Sequence, residues 1–312
     1  MERNMQKRNV LLIINPNASK GKGEAKAKKI AELFSSQGVM CTTAYTVGPG
    51  HATKLAKSGV ENGFREIVAA GGDGTVNEVL NGIMQSENHE GVKMGIIPVG
   101  RGNDFAWMAK IPTDMAKAVK IIVDGEAKST DVGFGKGRRR EEGLYFLNGM
   151  GFGFEPMVNY KAQEYKHING MASYVVAFIW IVMNPPKPYS ITLDLDGQKE
   201  TLECQQISVN NGRRMGSSFH LTPRAEIDDG LFDVMNTTRP FLGLKLIRMV
   251  ISFLRGAVLK DKEHFTYRNA RKVIIDCTEP VVPAHADGET FTMGDDHFEL
   301  EILPGAIDLF RR

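Results

Sequence analysis

Glycines and carboxylates follow two predicted strands in the first third of the chain. Apolar residues 68–70 lead into Gly-Gly-Asp-Gly at 71–74, and apolar residues 95–99 lead into Gly-Arg-Gly-Asn-Asp at 100–104. At the carboxyl edge of a parallel sheet, glycines let the backbone approach a phosphate, and the N-terminus of the next helix attracts its charge. The carboxylates of Asp73 and Asp104 could anchor magnesium through water beside a triphosphate. One such turn alone does not establish nucleotide binding, but the second turn strengthens that interpretation.

Each of these turns also has a structural interpretation. Thr75-x-x-Glu78 fits a capping box, in which the two side chains satisfy backbone groups at the start of a helix. Asn103 and Asp104 have the residue types of helix caps. The sequence leaves both interpretations open beside the nucleotide one.

A third turn, Asn-Pro-Asn-Ala-Ser at 15–19, follows the first predicted strand, and glycines and lysines follow it. It does not match G-x-x-x-x-G-K-[ST], and the chain lacks the H-R-D and D-F-G motifs of protein kinases. A nucleotide would therefore be bound by a scheme other than these two.

A late pair of carboxylates lies at Asp287 and Glu289, separated by Gly288. Asp-Gly is a favoured two-residue hairpin turn of type I′, which is the structural interpretation. A carboxylate at such a tip could also accept the proton of an alcohol that attacks a phosphate. The histidines at 51, 167, 220, 285 and 297 share no metal-ligand spacing, and we expect them at the surface or at caps.

The elements needed to position these residues alternate along residues 1–130. Strands are predicted at 10–14, 40–46, 67–70 and 93–97, and helices at 24–37, 51–63, 114–124 and over the apolar i, i+3, i+4, i+7 positions from Val76. This alternation is typical of an α/β domain with a mainly parallel sheet.

The pattern changes near Ser129, and residues 131–312 form a second predicted domain. Strands with a period of two are predicted at 144–148, 190–195, 203–209, 231–235, 272–276 and 297–302, with helical insertions at 156–183 and 240–255. We expect an antiparallel, β-sandwich-like domain.

Composition limits the remaining classes of function. The 39 basic and 37 acidic residues nearly cancel, so overall charge predicts no nucleic-acid partner. The three cysteines are too few and too scattered for a disulfide framework or a zinc site. The first apolar run is too short for a signal peptide, and Met171–Met183 is shorter than the roughly 20 residues that span a bilayer. We expect a soluble, cytoplasmic protein.

Six motifs in order resemble the diacylglycerol kinase catalytic-domain family, specifically its soluble bacterial lipid kinases, which are related to sphingosine and ceramide kinases. They are the Asn-Pro turn at 15, TVGPGHA at 46–52, GGDGTVNEVLNG at 71–82, PVGRGNDFA at 98–106, PRAEIDDGLFDV at 223–234 and Ala-Asp-Gly-Glu at 286–289. The resemblance covers essentially the whole chain. It implies a first domain like those of NAD kinase and phosphofructokinase, and a last strand that could return to that domain.

The resemblance also implies ligands. Mg²⁺ and ATP would be the cofactors, and the residues implied to contact ATP are Asn15, Pro16, Asn17, Ala18, Ser19, Thr46, Gly71, Gly72, Asp73, Gly74, Thr75, Asn77, Glu78, Gly100, Arg101, Asn103 and Asp104. Asp73, Asp104 and Glu289 would organise a magnesium-bound water network, and Asp287 or Glu289 would be the general base. A structural magnesium site is implied at Asp229 with backbone oxygens near Glu226 and Leu231.

Three residues depart from the family pattern. Arg101 stands where the family usually has an ATP-contacting threonine, Trp107 replaces a common arginine, and Ser19 replaces a common glycine. Arginine can bind phosphate through two hydrogen bonds, or it could crowd the site. A catalytically impaired nucleotide- or lipid-binding regulator therefore remains an alternative to an active lipid kinase, as does an NAD kinase-like enzyme.

Two segments could meet a membrane. Met171–Met183 could line an acyl-chain pocket or touch the lipid interface, or it could be a buried core helix. The basic run 136–140 could approach an anionic leaflet, or it could be a solvated loop. The expected substrate is a membrane lipid, with diacylglycerol first, and the protein would associate peripherally with the membrane. Monomer and homodimer both remain open.

Overall fold

The computed structural model describes residues 8–16, 23–165, 171–184, 186–243 and 245–312. The described residues divide into two compact units. The first comprises those of Met1–Thr130 together with Gly305–Arg312, and the second comprises those of Asp131–Pro304.

The first unit alternates strands and helices. In chain order its elements are β1 (Asn9–Ile14), α1 (Gly23–Ser36), β2 (Met40–Tyr45), α2 (His51–Glu61), β3 (Glu66–Gly71), α3 (Asp73–Met84), β4 (Lys93–Pro98), α4 (Asp104–Met108) and α5 (Met115–Asp124). The strands form a parallel sheet in the order β2-β1-β3-β4. Residues 308–309 add a parallel pairing on the far side of β4.

The core of the first unit lies around the central strands. Residues 10–14 of β1 and 67–70 of β3 are buried on both faces, because helices cover both sides of a parallel sheet. The helices contribute Ile30, Phe34, Val79 and Leu80, which are fully buried at helical spacing. This core fixes where the strands end.

The second unit is mainly antiparallel. Its elements are β5 (Ala127–Gly137), β6 (Arg140–Phe146), β7 (Gly149–Gly153), α6 (Phe154–Glu164), α7 (Met171–Met183), β8 (Tyr189–Leu195), β9 (Gln198–Cys204), β10 (Gln206–Asn210), β11 (Phe232–Thr237), α8 (Lys245–Leu254), a 3-10 turn (Val258–Lys260), β12 (Phe265–Ala270), β13 (Lys272–Glu279), β14 (Val282–Ala286), β15 (Glu289–Asp295) and β16 (His297–Phe310). Strand β5 begins, and β16 ends, in the first unit.

Two sheets enclose the main core of the second unit. One contains residues 297–304 of β16 followed by β13, β8 and β9, and the other has the order β12-β11-β10-β7-β14-β15. Phe146, Phe152, Phe232 and Phe298 are completely buried in the core that these sheets share. A second cluster, which includes Ile181, Leu246 and Phe253, packs helices α6, α7 and α8 with residues of β11 and β12. The predicted sandwich is confirmed, with a helical layer added.

Most predicted elements of the first unit are confirmed within one or two residues. In the second unit, the predicted strand 203–209 is wrong: β9 ends at Cys204, β10 begins at Gln206, and they belong to different sheets. Gln205 forms the break, where its side chain donates to the Pro186 carbonyl and accepts from the Phe241 N–H. The single insertion predicted at 156–183 is two helices, α6 and α7.

None of the helices in the described ranges combines the length and the hydropathy required of a bilayer-spanning segment.

One buried acid makes the stability of the second unit depend on pH. Asp233 is 2% exposed on β11, between Asn210 of β10 and Asn269 of β12. Burial raises the pKa of Asp233 to about 6, although hydrogen bonds with Tyr267 and Asn269 and the charge of Arg213 act to lower it. The free carboxylate is therefore the costly form in the folded state.

We predict that Asp233→Asn removes this dependence. Between about pH 4 and pH 6 the folded protein holds a proton that the unfolded chain has released, so this group's contribution to the free energy of unfolding falls as pH rises through that window. The variant should gain on wild type by about 2 kcal/mol between pH 4.5 and pH 8. Urea unfolding of both proteins measures the gain, and parallel pH profiles would contradict the assignment.

Candidate functional site

Four neighbouring strands of the first unit end at one edge of its sheet. Asn15 follows β1, Thr46 follows β2, Gly72 follows β3 and Gly100 lies two residues beyond β4. The Thr46 N–H donates to the Ile14 carbonyl at 3.0 Å, which holds the ends of β1 and β2 together. The strand order changes direction between β1 and β3, and such a switch point is where open α/β sheets bind ligands.

The turns after β3 and β4 touch each other through their backbones. The N–H groups of Val99 and Gly100 both donate to the Gly71 carbonyl, at 3.0 and 3.1 Å. A Cβ placed on Gly100 would lie 2.3 Å from the Gly72 Cα, so no larger residue fits without separating the turns. The glycine predicted for phosphate access is thus also required for contact between two turns.

This contact brings together the two residues of the first unit that were predicted to supply carboxylates. The Asp104 N–H donates to Asp73 Oδ1 at 2.7 Å, and Asp104 itself is 6% exposed. Asn103 has a left-handed backbone, and its side chain binds both the N–H and the carbonyl of Gly100, at 3.2 and 3.0 Å. Its side chain therefore fixes the turn and does not cap α4.

The predicted capping box at Thr75 and Glu78 is wrong. Helix α3 already begins at Asp73, so Thr75 lies inside its first turn, against Gly71. The carboxylate of Glu78 instead accepts the N–H groups of Gly50 and Ala52, at 2.8 and 3.0 Å. Glu78 thereby caps the start of α2 and ties the turn after β2 to α3.

The donor chemistry of this edge fits a magnesium-bound nucleotide. In the described structure, no side chain caps the N-terminus of α3, where Gly72 and Asp73 begin the helix. Such an N-terminus suits a phosphate, and Mg²⁺ commonly uses one or two carboxylates together with water and phosphate oxygens. Within the described ranges, no group of three or more His, Cys, Asp or Glu is arranged to hold a metal ion unaided.

The structure describes some of the remaining predicted nucleotide contacts. Arg101 is exposed. Trp107, which replaces a common arginine of the family, is 44% exposed on α4. Asn77 is buried, and its carbonyl and side-chain oxygen both accept from the Asn81 amide group. Asn17, Ala18 and Ser19 lie outside the described residues.

In the second unit, Asp287 and Gly288 form the tip of the β14–β15 hairpin. Ala286 pairs with Glu289, and both tip residues have positive φ, 48° and 85°, as a type I′ turn requires. Glu289 is exposed at the first position of β15. The hairpin interpretation is therefore confirmed, and the tip presents Glu289 to solvent.

Asp287 is bound closely by backbone amides. Its Oδ1 accepts the N–H groups of Asn148 and Gly149, at 2.8 and 3.0 Å, and its Oδ2 accepts the Leu147 N–H at 3.0 Å. The Asp287 N–H in turn donates to the Gly149 carbonyl. These bonds fix the hairpin tip against the segment that leads into β7.

Contrary to the prediction of a surface or capping position, His285 is buried and supports the same hairpin tip. It is 2% exposed, and its Nε2 lies 3.1 Å from Glu155 Oε1. The Gly288 N–H donates to His285 Nδ1 at 3.3 Å, so Nε2 carries the proton and faces Glu155. From the same helix α6, Asn159 donates to the Gly288 carbonyl at 2.8 Å.

The Asp-Asp-Gly turn predicted to hold a structural magnesium gathers acids. Asp229 Oδ1 accepts the Leu231 N–H at 3.0 Å, and Asp131 Oδ2 accepts the Gly230 N–H at 2.7 Å. Partial burial raises the pKa of Asp229, with the charges of Asp131, Glu226 and Asp228 acting in the same direction. The ligand set of Asp229, Glu226 and Leu231 stays a prediction.

Several residues that support the β14–β15 hairpin tip were not predicted from the sequence. Glu155, Asn159 and the amides at 147–149 support the hairpin tip from distant parts of the chain. The one local signal was His285, two residues before Asp287 and in an apolar segment. Asp73 and Asp104, in contrast, were correctly expected at the same edge of a sheet.

Comparison with known proteins gives a consistent family. The profile described as "Diacylglycerol kinase catalytic domain" matches residues 9–134, and the one described as "YegS C-terminal NAD kinase beta sandwich-like domain" matches residues 149–311. A diacylglycerol kinase of Bacillus subtilis is 30% identical over 280 residues, which cover 89% of this chain and 88% of that protein. "Probable lipid kinase YegS" of Escherichia fergusonii is 26% identical and covers 95% and 94% of the two chains.

Solved structures share the fold. A diacylglycerol kinase structure from Bacillus anthracis aligns with a TM-score of 0.73 at 21% identity, covering 98% of this chain and 97% of that one. The yeast NADH kinase aligns with a TM-score of 0.55 at 11% identity, covering 98% and 83%. The predicted fold class is thereby confirmed.

We predict that Gly100→Ala weakens the first unit. The new Cβ would collide with the Gly72 backbone, and overpacking of this kind typically costs about 1–3 kcal/mol. Urea unfolding should show that loss, and calorimetry should show weaker ATP binding. Gly48→Ala is the matched control, since nothing lies within 4 Å of the Cβ position there. Equal stability of the two variants would contradict the proposed contact.

We predict that Asp287→Asn destabilises the second unit independently of any chemistry. An amide replaces one carboxylate oxygen with a donor, so an amide hydrogen at 147–149 loses its acceptor, at a cost of about 1–3 kcal/mol. Asparagine tolerates positive φ, so the turn itself is not strained. Urea unfolding followed by circular dichroism measures the loss. Exposed Glu289→Gln should be unchanged in stability, and a similar loss there would contradict the distinction.

Proposed function

Because the chain belongs to the diacylglycerol kinase catalytic-domain family, it is a lipid kinase, and we propose that it transfers the γ-phosphate of ATP, with Mg²⁺, to a hydroxyl of a membrane lipid. Diacylglycerol is the first candidate, since it is the substrate named for the Bacillus subtilis relative. The observation that carries the proposal is the contact between the two glycine turns, which places Asp73 and Asp104 together at the carboxyl edge of the sheet.

The first unit would bind the nucleotide. Backbone groups at 71–74 and 100–104 lie where phosphates would be received, and the α3 N-terminus adds a favourable dipole. Thr46 and Asn15 follow the neighbouring strands of the same edge. Exposed Arg101, which replaces the usual threonine, would bind phosphate oxygens through its guanidinium.

Asp73 and Asp104 would hold Mg²⁺ through water. The bound ion would neutralise charge on the phosphate oxygens. Asp73 is already oriented by the Asp104 N–H, so its carboxylate loses little freedom when it binds. Glu289 would join this water network, as the family pattern implies.

Glu289 is the better candidate for the general base. A base must reach the hydroxyl of the acceptor, and Glu289 is exposed, whereas Asp287 is 9% exposed with three amide hydrogens on its oxygens. Asp287 and His285 would then position the tip that carries Glu289. The base would take the hydroxyl proton as the acceptor oxygen bonds to phosphorus and the ADP oxygen leaves.

The substrate would be reached at a membrane surface, and the protein would work in the cytoplasm as a peripheral protein. A homodimer is compatible with this proposal, as is a monomer. The alternatives to a lipid kinase are an NAD kinase-like enzyme and a catalytically impaired regulator, and the assay below distinguishes them.

We predict that the protein transfers labelled γ-phosphate from Mg-ATP to one lipid of a panel presented in mixed micelles. The panel contains diacylglycerol, phosphatidylglycerol, sphingosine, ceramide and undecaprenol, with NAD tested in parallel. Glu289→Gln should lower the rate by roughly 10²–10⁴-fold, the usual contribution of a general base. Glu301→Gln, at another exposed strand position, should retain full activity.

The outcomes separate the alternatives. Label in NAD would replace the lipid assignment with a nucleotide kinase. Tight ATP binding with no labelled lipid would favour the regulator. A normal rate for Glu289→Gln would assign the base elsewhere.

A further inference from the structure

We propose that the outer face of α8, together with Leu242, docks on an anionic lipid bilayer. This interfacial face consists of Leu242, Lys245, Ile247, Arg248, Ile251, Leu254 and Arg255. The inference rests on the proposed function, since it specifies how a lipid kinase reaches its substrate.

Large exposed apolar side chains are concentrated in the helical layer of the second unit. Of thirteen such residues in the described ranges, seven lie on α7, on α8 or just before α8. On α8 and before it they are Leu242 at 56%, Ile247 at 38%, Ile251 at 41% and Leu254 at 47% exposed. Single exposed apolar residues are normal, but a cluster on one element indicates an interaction site.

The interfacial face is distinct from the face of α8 that packs in the core. The opposite face of α8 contributes Leu246, Met249 and Phe253 to the buried helical cluster, at 0%, 0% and 3% exposure. The helix therefore already packs fully on one side. Its outward apolar residues at 247, 251 and 254 follow helical spacing and form a second apolar stripe.

The exposed charges on α8 itself have one sign. Every exposed position of α8 is either apolar or basic, and its ten residues include no acid. The acids that follow are paired: Asp261 accepts from Arg248 at 3.1 Å and bonds to His264, and Glu263 pairs with Arg239. Lys260 and Lys262 are exposed beside them. A helix with apolar and basic residues together is typical of binding in the plane of an anionic membrane.

A cavity on this face has the matching chemistry. Its volume is about 530 Å³, and it is lined by Ile247, Arg248, Ile251, Ser252, Arg255 and Ala257. Its lining is mainly apolar, which suits acyl or glycerol carbons. Exposed Lys245 and Arg255 lie on or next to the same helix and offer cations to lipid phosphates beside it.

A second copy of the chain fits this face less well. The buried centre of a protein interface is depleted in charged residues, and a two-fold contact would place the same patch against itself. Lys245, Arg248 and Arg255 would then face identical cations. A bilayer containing anionic lipid meets the same residues with opposite charge.

Co-sedimentation of the full chain with sucrose-loaded vesicles tests the proposal. Vesicles of phosphatidylcholine alone are compared with vesicles containing about one third phosphatidylglycerol, without ATP or diacylglycerol. Wild type should partition about tenfold more strongly onto the anionic vesicles, and added salt should weaken this binding. Ile247→Ser/Ile251→Ser/Leu254→Ser and, separately, Lys245→Gln/Arg248→Gln/Arg255→Gln should each lose about tenfold or more.

Met40→Ser/Met293→Ser is the matched control, because it removes two exposed apolar side chains elsewhere, at 52% and 69% exposure. It should bind as wild type does. Circular dichroism melting of each variant shows that the fold is retained, which is expected since every changed side chain is exposed.

Equal vesicle binding by wild type and both α8 variants would overturn the proposal. A second result would also overturn it: wild type is a dimer in analytical ultracentrifugation, and the serine variant is a monomer that binds vesicles as strongly as wild type does. Phosphorylation of a short-chain, water-soluble diacylglycerol separates this proposal from the kinase assignment. The α8 variants should phosphorylate this soluble substrate at the wild-type rate, and their rate should fall only when diacylglycerol is presented in vesicles. If wild type phosphorylates no lipid but the vesicle results hold, the proposed function fails alone.

Discussion

The close approach of two backbone turns is the constraint on which the first unit's chemistry depends. Gly100 lies so near Gly72 that it cannot carry a larger side chain, and the Gly71 carbonyl accepts from both residues that follow β4. Because of this contact, Asp104 is close enough to donate its N–H to Asp73. Glycine therefore serves two purposes, since it joins the turns and leaves their backbone accessible to phosphate.

In the second unit, a buried carboxylate fixes the position of the β14–β15 hairpin tip. Asp287 satisfies three consecutive amide groups that would otherwise lack acceptors where β7 begins. His285 and Asn159 bind Gly288 from two further directions. The tip of a short hairpin is normally a mobile part of a protein, but this one is held by residues 147–149 and by helix α6, as well as by His285 of its own strand. Glu289 can thus be exposed and still be well oriented.

The sequence predicted the first unit better than the second, for physical reasons. Buried parallel strands give continuous apolar runs, and longer helices give regular spacing, so β1 to β4, α1 to α3 and α5 could be located. The five-residue helix α4 is too short to show such a pattern and was not predicted. Strand β7 was missed because three of its five residues are glycines, which weaken strand propensity. Those glycines are needed because neighbouring side chains, including Asn210, His285 and Glu155, occupy the space of a Cβ. Contacts between distant segments, such as that of His285 with Glu155, have no local pattern from which to infer them.

The path of β16 has a consequence for synthesis of the protein. Residues 308–309 pair with β4, so that edge of the first unit's sheet lacks a neighbour until the 174 residues of Asp131–Pro304 have been translated. At ribosomal rates this takes roughly 10–35 s. During that interval β4 presents unpaired backbone groups beside an apolar segment, which is the arrangement that favours edge-to-edge association of nascent chains. The strand order thus makes the first-synthesised sheet the last to be completed.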